Sequence, residues 1–129
     1  MNERLGKSYK LCSRKTIDTL FAQSDFHVSK YPFRLVAKKV DLPSLECFQI
    51  GFSVPKRLFK KAPDRNRIKR LMREVVRKNK KYIEDPLENK NHQLALFLIY
   101  TGKEILSFEE FEDKIVFILQ RLNNEIDKT

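Results

Sequence analysis

Only two cysteines, two histidines and three glycines occur in the chain, and each scarcity removes a class of protein. Cys12 and Cys47 stand far apart, and with His27 and His92 they form no paired spacing of the kind that zinc sites use. No protein-bound metal is therefore expected. The two thiols could form one disulfide, but a reducing cytosol disfavours it, and small buried cysteines serve commonly as plain core residues. So few glycines, with no Pro- or Ser-rich stretch, leave nothing that reads as a linker, and no internal repeat is visible. No apolar run approaches the roughly 18 residues of a membrane span. The opening MNERLGKSYKLC also lacks the apolar segment of a secretory signal. A soluble, cytoplasmic protein without membrane contact is the expectation.

What is plentiful is aromatic carbon and positive charge. Ten Phe within 41% apolar residues can build a core, and 129 residues is a usual size for one domain, so a single domain over 1–129 is expected. Lys and Arg number 27 against 17 Asp and Glu, a formal net charge of +10, which calls for a polyanionic partner, nucleic acid foremost. The excess sits in one place. Between Lys56 and Lys81 thirteen basic residues face only Asp64 and Glu74, whereas the rest of the chain is nearly balanced. Such concentration resembles a binding footprint more than a device for solubility. From Lys103 to Thr129 acidic residues outnumber basic ones, so this end is expected to face away from nucleic acid.

Within the basic window Ile68, Leu71, Met72, Val75, Val76 and Ile83 recur at helical spacing and form a stripe that must be buried. Arg65, Lys69, Arg73 and Arg77 are four apart, with Asn66 and Arg70 beside them, which predicts an exposed basic ridge. Asp64 after Pro63 suits an N-cap, placing Asn66 and Arg67 in the first turn, where backbone N–H groups and the helix dipole also favour an anion. A solvated helix face is the bland alternative. Solvated faces normally mix signs, however, and like charges four apart repel by a few tenths of a kcal/mol, roughly, so binding is favoured.

Elsewhere Ser13 can cap a short helix over about Arg14 to Gln23, with Ile17 and Phe21 on one side. Tyr31 to Val40 alternates, with Tyr31, Phe33, Leu35 and Ala37 on one face and Arg34, Val36 and Lys38 on the other, as a half-buried strand does. After a connection at Leu42 to Ser44, Phe48, Ile50, Phe52 and Val54 alternate in another strand, and the two are expected to pair as a hairpin. Leu94 to Tyr100 is continuously apolar and fits a central strand buried on both faces. Ser107 and Glu110 make a capping box ahead of a long amphipathic helix through Ile126. The predicted order is α-β-β-β-α-β-α, an α+β fold in which helices pack on a small, mostly antiparallel four-stranded sheet. A right-handed crossover is the general default.

Two stretches, Gly51 to Arg57 (GFSVPKR) and Arg65 to Glu74 (RNRIKRLMRE), resemble the bacterial ribonuclease P protein component. The family's Arg-Asn-Arg signature falls on Arg65, Asn66, Arg67, Lys69, Arg70 and Arg73, six polar positions in order. The resemblance extends over nearly the whole chain. It implies a protein subunit that binds a catalytic RNA and the 5′ leader of precursor tRNA and assists endonucleolytic removal of that leader. The active site and its Mg²⁺ are then expected in the RNA subunit, with no catalytic residue in this chain. The resemblance also implies a left-handed crossover, and no obligate protein partner is expected. In the family a cleft between the first helix and the sheet holds the leader. Its aromatic positions correspond to Ile17, Phe21 and Val36, of which only Phe21 is aromatic here, so leader binding is expected to lean on Arg34, Lys38, Lys56 and Arg57. Leu58 to Asp64 departs from the family's small, Gly-containing turn.

Three other functions fit the charge. A protein-only nuclease needs clustered carboxylates, and those at Glu109, Glu110, Glu112 and Asp113 are what the start of a helix favours anyway. A ribosomal or general RNA-binding protein fits composition equally well, and only the ordered motif separates it. DNA binding lacks a helix-turn-helix spacing.

Overall fold

The structure, a computed structural model, describes residues 14–40, 47–90 and 93–127. The proposed Ser13 cap, the Leu42 to Ser44 connection, Cys12 and His92 lie outside the described residues. Eight elements follow one another: α1 (Arg14–Ala22), β1 (Phe26–Lys30), β2 (Phe33–Lys39), β3 (Phe48–Ser53), α2 (Ala62–Lys78), α3 (Lys81–Lys90), β4 (Leu94–Tyr100) and α4 (Phe108–Asp127). The fold is α+β on a four-stranded mixed sheet of order β1-β2-β4-β3. Two of its three pairings are antiparallel and the third, β3 with β4, is parallel.

The apolar run Leu94 to Tyr100 is central, as its composition predicts, with β2 on one side and β3 on the other. That placement overturns the expected hairpin between the second and third strands. A strand apolar on both faces needs neighbours at both edges to satisfy its backbone, so β4 inserts between two strands that alternate. The actual hairpin joins β1 to β2 through Tyr31 and Pro32, whose peptide bond is cis. Tyr31, expected on a buried strand face, therefore sits in the turn at 70% exposure.

Alternation divides the sheet into two faces. Phe33, Leu35, Phe48, Ile50, Leu96 and Leu98 join the main core beneath α2, α3 and α4. On the other face Val36 and Ala95 meet Leu20 of α1 in a smaller cluster flanked by Ile17 and Phe97. α4 is positioned by its predicted capping box: Ser107 Oγ accepts the Glu110 N–H at 3.3 Å and donates to the Glu110 carboxylate at 3.2 Å.

The basic helix differs from expectation at both ends. It begins at Ala62, with Lys61 as N-cap and no side-chain cap bond, while Pro63 and Asp64 lie inside the first turn. Proline has no N–H to satisfy there, so the helix can start ahead of it, and Asp64 meets the dipole from within. Asn66 and Arg67 consequently fall in the second turn. At the far end the Asn79 side chain donates to the Val75 carbonyl at 2.8 Å and closes α2. Ile83, read as part of the same stripe, belongs to the separate α3.

Candidate nucleic-acid interface

Burial of Ile68, Met72, Val75 and Val76 sets the rotation of α2. Each such side chain contributes roughly 1.5–3 kcal/mol by leaving water, so the opposite flank is held outward. On that flank Asn66, Arg67, Lys69, Arg70 and Arg73 are exposed. Arg67, Arg70 and Arg73 border a shallow groove with Leu71 and Glu74. The one carboxylate on this flank is compensated within the helix. Arg77 holds both oxygens of Glu74, at 3.0 and 2.5 Å, and this hydrogen bond keeps the Glu74 carboxyl below its ordinary value. Arg73 also lies over the Phe52 ring of β3 at 5.7 Å, which fixes the inner end of the ridge against the sheet edge.

Arg65 has a different task from its neighbours. Half-buried at the side of α2, it donates from Nη1 to the carbonyl oxygens of Phe59 at 2.8 Å and Lys60 at 3.0 Å. Of the segment Leu58 to Asp64, only Leu58 to Lys61 is loop, anchored at both ends, while Ala62 to Asp64 already belong to α2. Phe59 is buried against Tyr100, Leu58 packs on the core, and Arg65 clamps the backbone that follows them at the Phe59 and Lys60 carbonyls. Lys56, Arg57, Lys60 and Lys61 stand exposed along it, continuing the cationic surface from the end of β3 into α2.

The α1 face of the sheet gathers most of the other candidates. Arg34 is exposed, and its Nε–H donates to His27 Nε2 at 2.8 Å. Lys38 donates from Nζ to the Gln23 carbonyl at 3.1 Å, tying the end of α1 to β2. Phe21 is 51% exposed, whereas Val36 is buried at 4% and Ile17 is half-buried. Val36 thus serves as floor beneath α1. One residue of this face escaped the sequence reading. Phe97, half-buried, pairs in register with Val36 on β2 and Gly51 on β3 and meets the Phe21 ring edge-on at 5.2 Å. The parity of the apolar run could have shown it, because Ala95, Phe97 and Ile99 must share the face opposite Leu96 and Leu98. Among the described residues no cluster of His, Cys, Asp or Glu could hold a metal ion.

A cationic helix flank, a basic loop and a face bearing one exposed and one half-buried ring provide for phosphates and bases together, the two needs of a protein that binds unpaired RNA. The family model for ribonuclease P matches residues 5–123. The ribonuclease P protein component of Porphyromonas gingivalis is 32% identical over 108 residues, covering 84% of this chain and 78% of its own. That of Lactococcus lactis subsp. cremoris is 32% identical over 116 residues, covering 90% and 89%. The fold is similar to that of the ribonuclease P protein of Staphylococcus aureus, with a TM-score of 0.70, 19% identity, and 90% of this chain and 96% of that one covered. The ribonuclease P protein of Thermotoga maritima has a TM-score of 0.69 at 22% identity, covering 87% and 96%. The chain belongs to the ribonuclease P protein family, the protein component of a ribonucleoprotein endoribonuclease that processes tRNA.

Proposed function

We propose that this chain presents two RNA surfaces within the ribonuclease P holoenzyme in the cytoplasm, one for the catalytic RNA and one for the 5′ leader of precursor tRNA. Asn66, Arg67, Lys69, Arg70 and Arg73 dock on phosphates and sugars of the RNA subunit. Arg65 acts behind them by holding the Leu58 to Lys61 loop, so that Lys56 and Arg57 are presented at a defined place. On the other face Phe21 and Phe97 offer rings to unpaired leader bases, and Arg34 and Lys38 lie where the leader's phosphates would run. The observation that carries this reading is the one-signed flank of α2, whose single acid is already taken by Arg77.

Bond cleavage is assigned to the RNA subunit and its Mg²⁺. No group of donors among the described residues fits that ion, and no step is derived through it. The protein's contribution is positioning: it neutralises RNA charge so that the two RNAs approach, and it adds affinity for precursor over mature tRNA through contacts that only the leader can make. The test is direct. The protein without RNA is expected not to cleave precursor tRNA, and addition of the RNA subunit at low Mg²⁺ is expected to restore leader removal. Cleavage at the mature 5′ end by RNA-free protein overturns the assignment.

A further inference from the structure

Three large apolar side chains are exposed among the described residues, and all three are aromatic: Phe21, Tyr31 and Phe117. The proposed leader surface uses Phe21 alone. Tyr31 and Phe117 lie elsewhere, at the seam where β1 meets α4. Phe117 is flanked by two cations, with Lys30 Nζ 5.0 Å from the ring centroid and the Arg121 guanidinium at 6.0 Å. Beside it a cavity of about 410 Å³ opens between the β1–β2 turn and the start of α4. Its floor is Pro32, Tyr100 and Leu106, and Tyr31, Lys103 and Lys114 stand on its rim.

We propose that this seam is a second binding surface for unpaired RNA, occupied by leader nucleotides beyond those held on the α1 face. The proposal rests on the reading that the α1 face holds the leader. Exposed rings interleaved with cations are what single-stranded RNA requires, because bases stack on the rings while the cations follow the phosphates. Glu104 and Glu110 also border the cavity, and the Glu110 carboxylate accepts the Ser107 hydroxyl at 3.2 Å. Carboxylates repel a phosphate but accept base N–H groups, so the cavity suits a base and the phosphates belong with Lys30, Lys114 and Arg121.

Position selects the leader rather than the RNA subunit. β1 is the edge strand opposite β3; α2 packs on β3 and on α4, whereas the seam lies where α4 meets β1, so an RNA held on the outward ridge of α2 approaches nearer the other edge of the sheet. The seam is instead continuous with the leader face. Arg34 pairs in register with Ser29, and the chain then passes through Lys30 directly to Tyr31. A strand of RNA leaving the α1 face at Arg34 crosses the turn and reaches Phe117.

The experiment uses holoenzyme assembled with Tyr31→Ala, Phe117→Ala or the double change Lys30→Gln with Arg121→Gln. The double variant keeps both rings, so a folding defect caused by ring truncation, checked by circular dichroism, cannot mask the result. Dissociation constants are measured for mature tRNA, a precursor whose leader spans only the α1 face, and one with a longer leader. The longer leader is expected to bind more tightly to wild type, and each ring truncation is expected to reduce that advantage roughly fivefold or more. Affinity for the short-leader precursor and assembly with the RNA subunit are expected to stay unchanged. A long-leader advantage that persists in every variant overturns the proposal. Equal weakening for all three tRNAs, or weakened assembly, also overturns it, by placing the seam against the tRNA body or the RNA subunit. Discrimination between the short-leader precursor and mature tRNA tests the α1 face separately, so the two readings can fail independently.

Discussion

The ring of Phe21 stands edge-on to that of Phe97, with centroids 5.2 Å apart and planes at 81°. One ring comes from α1 and the other from the middle of β4, so the contact joins the helix to the sheet at the place assigned to the leader. Phe97 is flanked in register by Val36 and by Gly51, whose lack of a side chain leaves the β3 side of the ring uncrowded by that neighbour. In the proposed leader surface this ring stands beside the aliphatic Val36.

Phe21→Ala is expected to weaken precursor binding by about 1–3 kcal/mol while leaving mature tRNA unaffected. Phe97→Leu retains apolar bulk but removes the ring, and the same selective loss is expected from it. Binding of both tRNAs to reconstituted holoenzyme measures this. Equal losses for the two tRNAs would show that these rings act only in packing.

The basic ridge and the central strand could be read directly, because each depends on local pattern: the helical spacing of Ile68, Met72, Val75 and Val76, and an unbroken apolar run at Leu94 to Tyr100. Strand pairing could not. Alternation in Phe33 to Lys39 and in Phe48 to Ser53 shows that each has two faces but not which strand lies beside it, and insertion of β4 is a long-range outcome. The site divides the same way. Exposure of Arg67, Lys69, Arg70 and Arg73 follows from the helix period, whereas the clamp of Arg65 on the Phe59 and Lys60 carbonyls depends on how the preceding loop returns to the helix. Phe97 was missed because a run apolar on both faces conceals which residues look toward α1.

Tyr100 ties the core to the β4–α4 connection through its hydroxyl, which donates to the Glu104 carbonyl oxygen. Burial pushes its phenol up to about 12, with Tyr31, Glu104 and Glu110 adding to the shift. The folded state therefore retains this proton where the unfolded chain has lost it. Stability from this group is complete below about pH 10 and declines as pH rises toward 12. Urea unfolding across that range is expected to show a steeper alkaline decline for wild type than for Tyr100→Phe. Parallel declines would show that Tyr100 is not responsible.

Gly102 is required by close approach. A Cβ there would stand 2.8 Å from Pro32 Cβ and 2.8 Å from the Tyr100 hydroxyl oxygen. Both neighbours are held, Pro32 by its ring and by the Thr101 N–H that its carbonyl accepts at 2.7 Å, Tyr100 by burial in the core. Gly102→Ala is expected to destabilise the fold by roughly 1–3 kcal/mol, the usual cost of overpacking. Thermal or urea unfolding measures it, and a neutral result would show that the turn shifts freely.

The ridge makes a prediction about salt that separates its two kinds of arginine. Arg67, Lys69, Arg70 and Arg73 are exposed and available to phosphates, whereas Arg65 spends part of its guanidinium on backbone carbonyls. With roughly four phosphates engaged at 0.7 to 0.9 each, log K for assembly with the RNA subunit is expected to fall with log salt at a slope of about −2.8 to −3.6. Arg70→Ala is expected to reduce the slope by about one contact and leave the fold intact, because its head group lies in solvent. Arg65→Ala releases the Leu58 to Lys61 loop instead, so it is expected to lower both stability and assembly affinity. Arg65→Lys retains the charge, but its shorter side chain ends short of the Nη1 position from which both carbonyls are bonded, and it is expected to resemble Arg65→Ala. Assembly titrations over a salt series, with unfolding curves for each variant, distinguish these roles. An unchanged slope and affinity for Arg70→Ala would reduce the ridge to a solvated helix face, and rescue by Arg65→Lys would show that any cationic donor serves at that position.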